Sequence, residues 1–269
     1  MTEIELTCVS EDGMPCKALF LPDQGMALAS FTKGAIEVID QGTRTAFNER
    51  RAGLGVLIGP HFHRRKSELV PKINEDAFPH IAYCREHGIE DPFSHGVSRY
   101  APWKAELKDG KIVATLSGKE SWNGVLLKDI EGQNFEMTFT AELIKGSLHL
   151  VLSVVSDSDS IAGLHYYYNL PDGKGRIMSR VKSGPISVEL DRSHDETYHA
   201  FPDPLHGTVL LETSTYSLRT TFHAVSAENC WQLYHPEGAH YVCIEPMSAW
   251  DPRHPNLTAS SINVELCIL

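Results

Sequence analysis

The 269-residue sequence is 42% apolar and 22% charged, with 35 acidic against 24 basic side chains and a net charge of −11. That composition belongs to a chain that buries a core, which excludes disorder as its dominant state, and the negative field, with no basic stripe to offset it, excludes nucleic acid as a partner. No apolar run approaches the ~20 residues of a membrane span, so a membrane is excluded too, whereas a small neutral substrate is indifferent to the charge.

The chain opens Met1-Thr2-Glu3-Ile4-Glu5, with acids where a signal peptide would carry Lys or Arg. The six cysteines, Cys8, Cys16, Cys84, Cys230, Cys243 and Cys267, form no C-x-x-C pair and fit no zinc ribbon. A cytoplasmic protein with free thiols is the expectation, and the sequon Asn256-Leu257-Thr258 is then a chance match. Short strands are predicted over 35–39 and 55–58, and a helix over 76–87 with Pro79 in its first turn. Asp109-Gly110 separates strands 105–107 and 112–116. Lys145-Gly146 separates 135–141, apolar at odd positions, from 148–154, apolar at even ones. Both read as hairpins. Residues 171–185 and 201–207 read as loops, and further strands are predicted over 186–190, 208–212, 241–244 and 262–268. Many short strands and few helices predict an all-β chain, a large antiparallel sandwich or barrel forming one domain over 1–269.

Four polar clusters carry the candidate chemistry. In His165-Tyr166-Tyr167-Tyr168-Asn169-Leu170, a strand would set His165, Tyr167 and Asn169 on one face. That mixture of rings and hydrogen-bonding groups suits a sugar; it also suits an aromatic core stripe with one satisfied histidine. In Cys243-Ile244-Glu245-Pro246, Pro246 is expected to stop ladder pairing. Glu245 would then stand partly buried at a strand mouth with its pKa raised, as a general base requires, or free in solvent at an edge. His95-Gly96-Val97-Ser98-Arg99, with Trp103, offers a glycine over which a ligand could lie, or a surface loop anchored by the indole. Lastly, Gly55 with His61-x-His63 and Glu68 matches the opening half of a cupin motif for iron, manganese or zinc. Against it stand Glu75 where glycine is expected, a second half no nearer than Pro236-Glu237-Gly238-Ala239-His240, and the cations Arg64, Arg65 and Lys66 beside the ion.

Taken in order, over about residues 53–250, the clusters resemble the aldose 1-epimerase (galactose mutarotase-like) superfamily: Gly59…His63-Arg64, His95-Gly96…Arg99…Trp103, His165 to Leu170, and Cys243 to Pro246. The resemblance implies a β-supersandwich fold and cofactor-free, metal-free anomerisation of an aldose or hexose phosphate. Glu245 would take the C1 hydroxyl proton and His165 would protonate the ring oxygen. His95, Arg64, Arg99 and Tyr167 would bind the substrate, and Arg64, Arg65, Lys66 and Arg99 could contact a phosphate. The sequence departs from the pattern at His63 (Asn in the family), Tyr168 (Phe) and Tyr198-His199-Ala200-Phe201, where Tyr198 stands in the place of a substrate-binding Asp. Of the flanking Asp195 and Asp203, Asp195 is the expected replacement. A non-catalytic carbohydrate-binding domain on the same fold, and a cupin-like metalloenzyme, are the competing readings.

Overall fold

In strand Phe135–Ile144, Phe135, Met137, Phe139, Ala141 and Leu143 are buried; across the turn, strand Ser147–Ser156 buries Leu148, Leu150, Leu152 and Val154. The turn residues Lys145 (φ 51°) and Gly146 (φ 93°) both have positive φ, as do Asp109 (φ 51°) and Gly110 (φ 79°) in the hairpin between Lys104–Lys108 and Lys111–Ser117. Two consecutive positive φ values match the right-handed twist of the flanking strands.

The computed structural model describes residues 3–193, 195–199 and 207–269. Two nine-stranded antiparallel sheets face each other among these residues. The first runs Ile4–Val9, Pro15–Leu21, Ala27–Lys33, Gly55–Ile58, Gly163–Asn169, Tyr241–Met247, Cys230–His235, Glu196–His199, with Ile36–Glu37 beside Ala27–Lys33. The second runs Gly184–Leu190, Gly175–Val181, Gly207–Glu212, Ser217–Ala224, Ala259–Ile268, Ser147–Ser156, Phe135–Ile144, Lys111–Ser117, Lys104–Lys108. One apolar core fills the space between them, with Phe20 of the first sheet against Phe139 of the second at 5.7 Å. Helices are short, and no helix among the described residues is long and apolar enough to cross a membrane.

Strands Gly163–Asn169 and Tyr241–Met247, in the middle of the first sheet, are buried on both faces. Leu164, Tyr166, Tyr168, Val242 and Ile244 pack into the sandwich core. The alternate residues, His165, Tyr167 and Glu245, line a cavity whose other walls come from Gln232 and Tyr234 of the neighbouring strand and from the segments around residues 50–52, 63–64 and 84–100.

Three expectations are corrected. Within 171–185, read as a loop, residues Gly175–Val181 form a strand paired on both sides. Only Ile177 and Val181 of that strand are fully buried, so it carries almost no apolar alternation. The helix expected over 76–87 is split into a 3₁₀ turn, Glu75–Ala77, and an α-helix, Pro79–Glu86. Phe78 (φ −126°, ψ 94°) is extended because the ring of Pro79 disfavours helical backbone before it. Finally, pairing does not stop at Pro246: Trp231 still opposes it, and Met247 opposes both Cys230 and Gly163. Proline removes one donor, and neighbours on both sides hold the strand regardless.

Candidate active site

The register Tyr166↔Ile244 and Gly163↔Met247 brings His165 into the row of Glu245, and on the other side Gln232 opposes Glu245 directly. His165 Nε2 lies 3.4 Å from Glu245 Oε1, and Gln232 Nε2 donates to that same oxygen at 3.4 Å. Glu245 is 0% exposed and His165 6%. Glu245 Oε2 and His165 Nδ1 have no hydrogen-bond partner among the described residues. The His165 ring stacks on Tyr167 at 4.9 Å, and His95 meets it edge-on at 5.2 Å.

Burial pushes the Glu245 carboxyl up to about 8, against the opposing pull of the Arg99 charge and the Gln232 amide. Burial also holds His165 well below the usual imidazole range, with Arg99 adding to the effect. Near neutral pH the resting pair is therefore a carboxylic acid beside a neutral imidazole. Moving one proton across the pair gives carboxylate and imidazolium, so a single shared proton supplies both an acid and a base.

Arg99 ends the 3₁₀ turn Val97–Arg99 and is 3% exposed, and its Nε and Nη2 are unpaired among the described residues. Its carbonyl oxygen fixes the turn against Gly25, where an added Cβ would lie 2.0 Å away. A buried guanidinium with two unpaired nitrogens on a cavity wall is costly unless a ligand satisfies them. His95 (φ 67°) and Gly96 (φ 88°) turn the chain into this segment. Gly59 N donates to the His95 carbonyl at 2.8 Å, and Ser98 N to the Gly59 carbonyl at 3.1 Å. A Cβ on Gly96 would stand 2.0 Å from the Gly59 oxygen. Gly96→Ala is accordingly expected to lose about 1–3 kcal/mol from left-handed backbone strain alone, and more from the overlap. It should also displace His95; thermal melts and ligand-binding isotherms of the variant check both effects.

The cavity, about 300 Å³, is lined by Arg50, Arg64, Arg99, His95, Tyr234 and the His165–Glu245 pair among others. That volume accepts a small molecule of monosaccharide size. No family model matches the sequence, and no curated protein matches it. Solved structures do. The Slr1438 protein of Synechocystis sp. aligns over 99% of this chain and 95% of its own, with TM-score 0.69 at 14% identity. A galactose mutarotase-like protein from Lactobacillus casei aligns over 98% and 100% (TM-score 0.63, 13% identity), and a galactose mutarotase related enzyme from Lactobacillus acidophilus over 99% and 97% (TM-score 0.62, 15% identity). The fold is galactose mutarotase-like.

On this mutarotase-like scaffold the structure gathers Glu245, His165, His95, Arg64, Arg99 and Tyr167 around one cavity. Asp195 lies elsewhere: it is exposed, accepts a hydrogen bond from Glu237 N and lines no part of the cavity. Asp203 and the Ala200-Phe201 part of its context lie outside the described residues. The cupin-type pattern does not converge. His61 faces Asp91 and Glu131, and Glu68 is exposed in the turn Ser67–Leu69. Arg65 is committed to Asp91, and Lys66 does not line the cavity.

Sequence reasoning missed Arg50, at the end of helix Arg44–Arg50, and Gln232, across the ladder from Glu245. The adjacent pair Arg50-Arg51 was a visible cue for the first; Gln232 is marked only by the strand order.

Proposed function

We propose that this chain interconverts the α and β anomers of a phosphorylated hexose. The observation that carries the reading is the His165–Glu245 pair, buried at the floor of a sugar-sized cavity with Nε2 3.4 Å from Oε1. Glu245 as carboxylate takes the proton from the C1 hydroxyl. The C1–O5 bond breaks as C1=O1 forms, and His165 as imidazolium protonates O5. Rotation about C1–C2 and reclosure with the roles reversed give the other anomer, and the pair returns to its starting charge. His95, edge-on to His165, is placed to donate to the ring oxygen or a neighbouring hydroxyl.

Arg50, Arg64 and Arg99 favour an anionic sugar. Their guanidinium groups have no salt-bridge partner among the described residues, and the cavity's remaining carboxylate, Asp91, is held by Arg65. Guanidinium–phosphate pairing is bidentate and charge-assisted. The test is one-dimensional NMR exchange on a panel of aldoses and sugar phosphates. A hexose phosphate should equilibrate faster than buffer allows; saturable binding without faster exchange would instead leave a carbohydrate-binding domain. Arg50→Gln is expected to raise KM for the phosphorylated sugar about 10–100-fold, the worth of one charge-assisted hydrogen bond, with a smaller change for neutral aldoses.

A further inference from the structure

Cys243, buried beside the His165–Glu245 pair, takes no part in the acid–base chemistry. It sits two residues before Glu245 on the same strand, so both side chains point to the same face, and it opposes Tyr167 in the ladder. The thiol is fully buried. One ligand atom from each of His165, Cys243 and Glu245 falls within 4.8 Å of the others. Atoms bound tetrahedrally to zinc at about 2.0–2.3 Å stand roughly 3.5 Å apart, so side-chain shifts of about an ångström would close the set.

We propose that His165, Cys243 and Glu245 form a binding site for a divalent transition metal ion of the zinc class. Imidazole, thiolate and carboxylate together select borderline-soft ions over magnesium or calcium. Three protein ligands leave a fourth position, and since His165 and Glu245 line the cavity, that position opens toward it. Two of the ligands are anionic when bound, which balances a divalent charge, while the Arg99 cation opposes it. Glu245 Oε2 and His165 Nδ1 are buried without hydrogen-bond partners among the described residues, as ligand atoms awaiting an ion would be. The site goes beyond the proposed anomerisation and excludes it: an ion held there occupies both members of the pair. Resting on that reading, zinc acts as a reversible inhibitor, and chelation restores the rate.

Cobalt(II) titration of the chelator-treated full chain tests the site without any sugar. A thiolate-to-cobalt absorption band in the near ultraviolet should grow to saturation at one ion per chain and vanish on addition of zinc. Cys243→Ser should lose the band, and Glu245→Gln should keep a band but bind cobalt at least tenfold more weakly. No band with the parent protein, a band that survives Cys243→Ser, or unchanged affinity in Glu245→Gln overturns the proposal. If Cys243→Ser fails to fold, the Glu245→Gln titration decides it. Because the readout is absorption, loss of the epimerase reading and loss of the metal site are seen separately.

Discussion

Glu245→Gln is expected to slow anomerisation by about 10²–10⁴-fold, the usual worth of a positioned general base, and to raise the melting temperature of the same protein. The second effect follows from linkage. The carboxyl has an ordinary value of 4.5 and is pushed up to about 8 in the fold. Below the lower value both folded and unfolded chains hold the proton, and the site costs nothing extra. As pH rises toward the folded value the unfolded chain releases its proton and the folded chain does not, so stability is lost. At pH 7 the loss is on the order of 3 kcal/mol. Glutamine keeps the shape and the bond to Gln232 and has no proton to lose. Melts of both proteins between pH 5 and 8 should therefore show a gap that widens with pH, to about 6–12 °C near neutrality. The rate should be bell-shaped in pH. Above about 8 the pair loses the shared proton and with it the acid. Below the depressed value of His165 it gains a second proton and loses the base. These assays require a chelator, to keep metal off the pair. A full rate in Glu245→Gln, or a stability gap indifferent to pH, would sink the assignment.

How much of this was legible in the sequence depended on whether the signal was local. The hairpins at Asp109-Gly110 and Lys145-Gly146 were, because alternation and turn residues lie side by side in the chain. Strand Gly175–Val181 was not, because, although it is paired on both sides, only Ile177 and Val181 are fully buried and the rest of its residues show no apolar alternation. The candidate site was legible in a different way. His165 and Glu245 were each ambiguous alone, and only the order of the motifs joined them. Gln232 meets Glu245 because the chain crosses from Cys230–His235 to its neighbour Tyr241–Met247, and Arg50 reaches the cavity from a helix on the far side of the sequence. Such meetings are made by topology, which composition and periodicity do not encode. The converse case is His61: a metal-like spacing, outweighed already in the sequence by Glu75, the distant second half and three neighbouring cations, marked a half-buried histidine that two carboxylates hold.

Those carboxylates give the second large effect. Arg65 holds Asp91 through Nε and Nη2, each at 3.0 Å, while its Nη1 donates to the carbonyls of Ile130 and Glu131 at 3.0 and 2.9 Å. Asp91 also accepts from the backbone N–H of Arg65 at 2.9 Å and of Phe93 at 3.0 Å, and Glu131 accepts from Val97 N at 3.0 Å. The network thus clasps both ends of the segment that carries His95 and Arg99. Burial drives the Asp91 carboxyl up, yet its bonds to His61 and Arg65 win and hold it well below the usual range. The stability it contributes is present above the ordinary carboxylate pKa and is lost as pH falls through the depressed one. Arg65→Met is expected to cost about 3–5 kcal/mol, because it strands buried carboxylates with a single histidine between them. In a chain of this size that is a fall of about 6–20 °C in melting temperature, with weaker substrate binding as the 91–99 segment loosens. Arg65→Met combined with Asp91→Asn should recover part of the loss, since the penalty belongs to the uncompensated charge rather than to the missing contact. A double variant no more stable than Arg65→Met alone would mean that Arg65 acts through packing and its bonds to the Ile130 and Glu131 carbonyls, and that Asp91 carries no stranded charge.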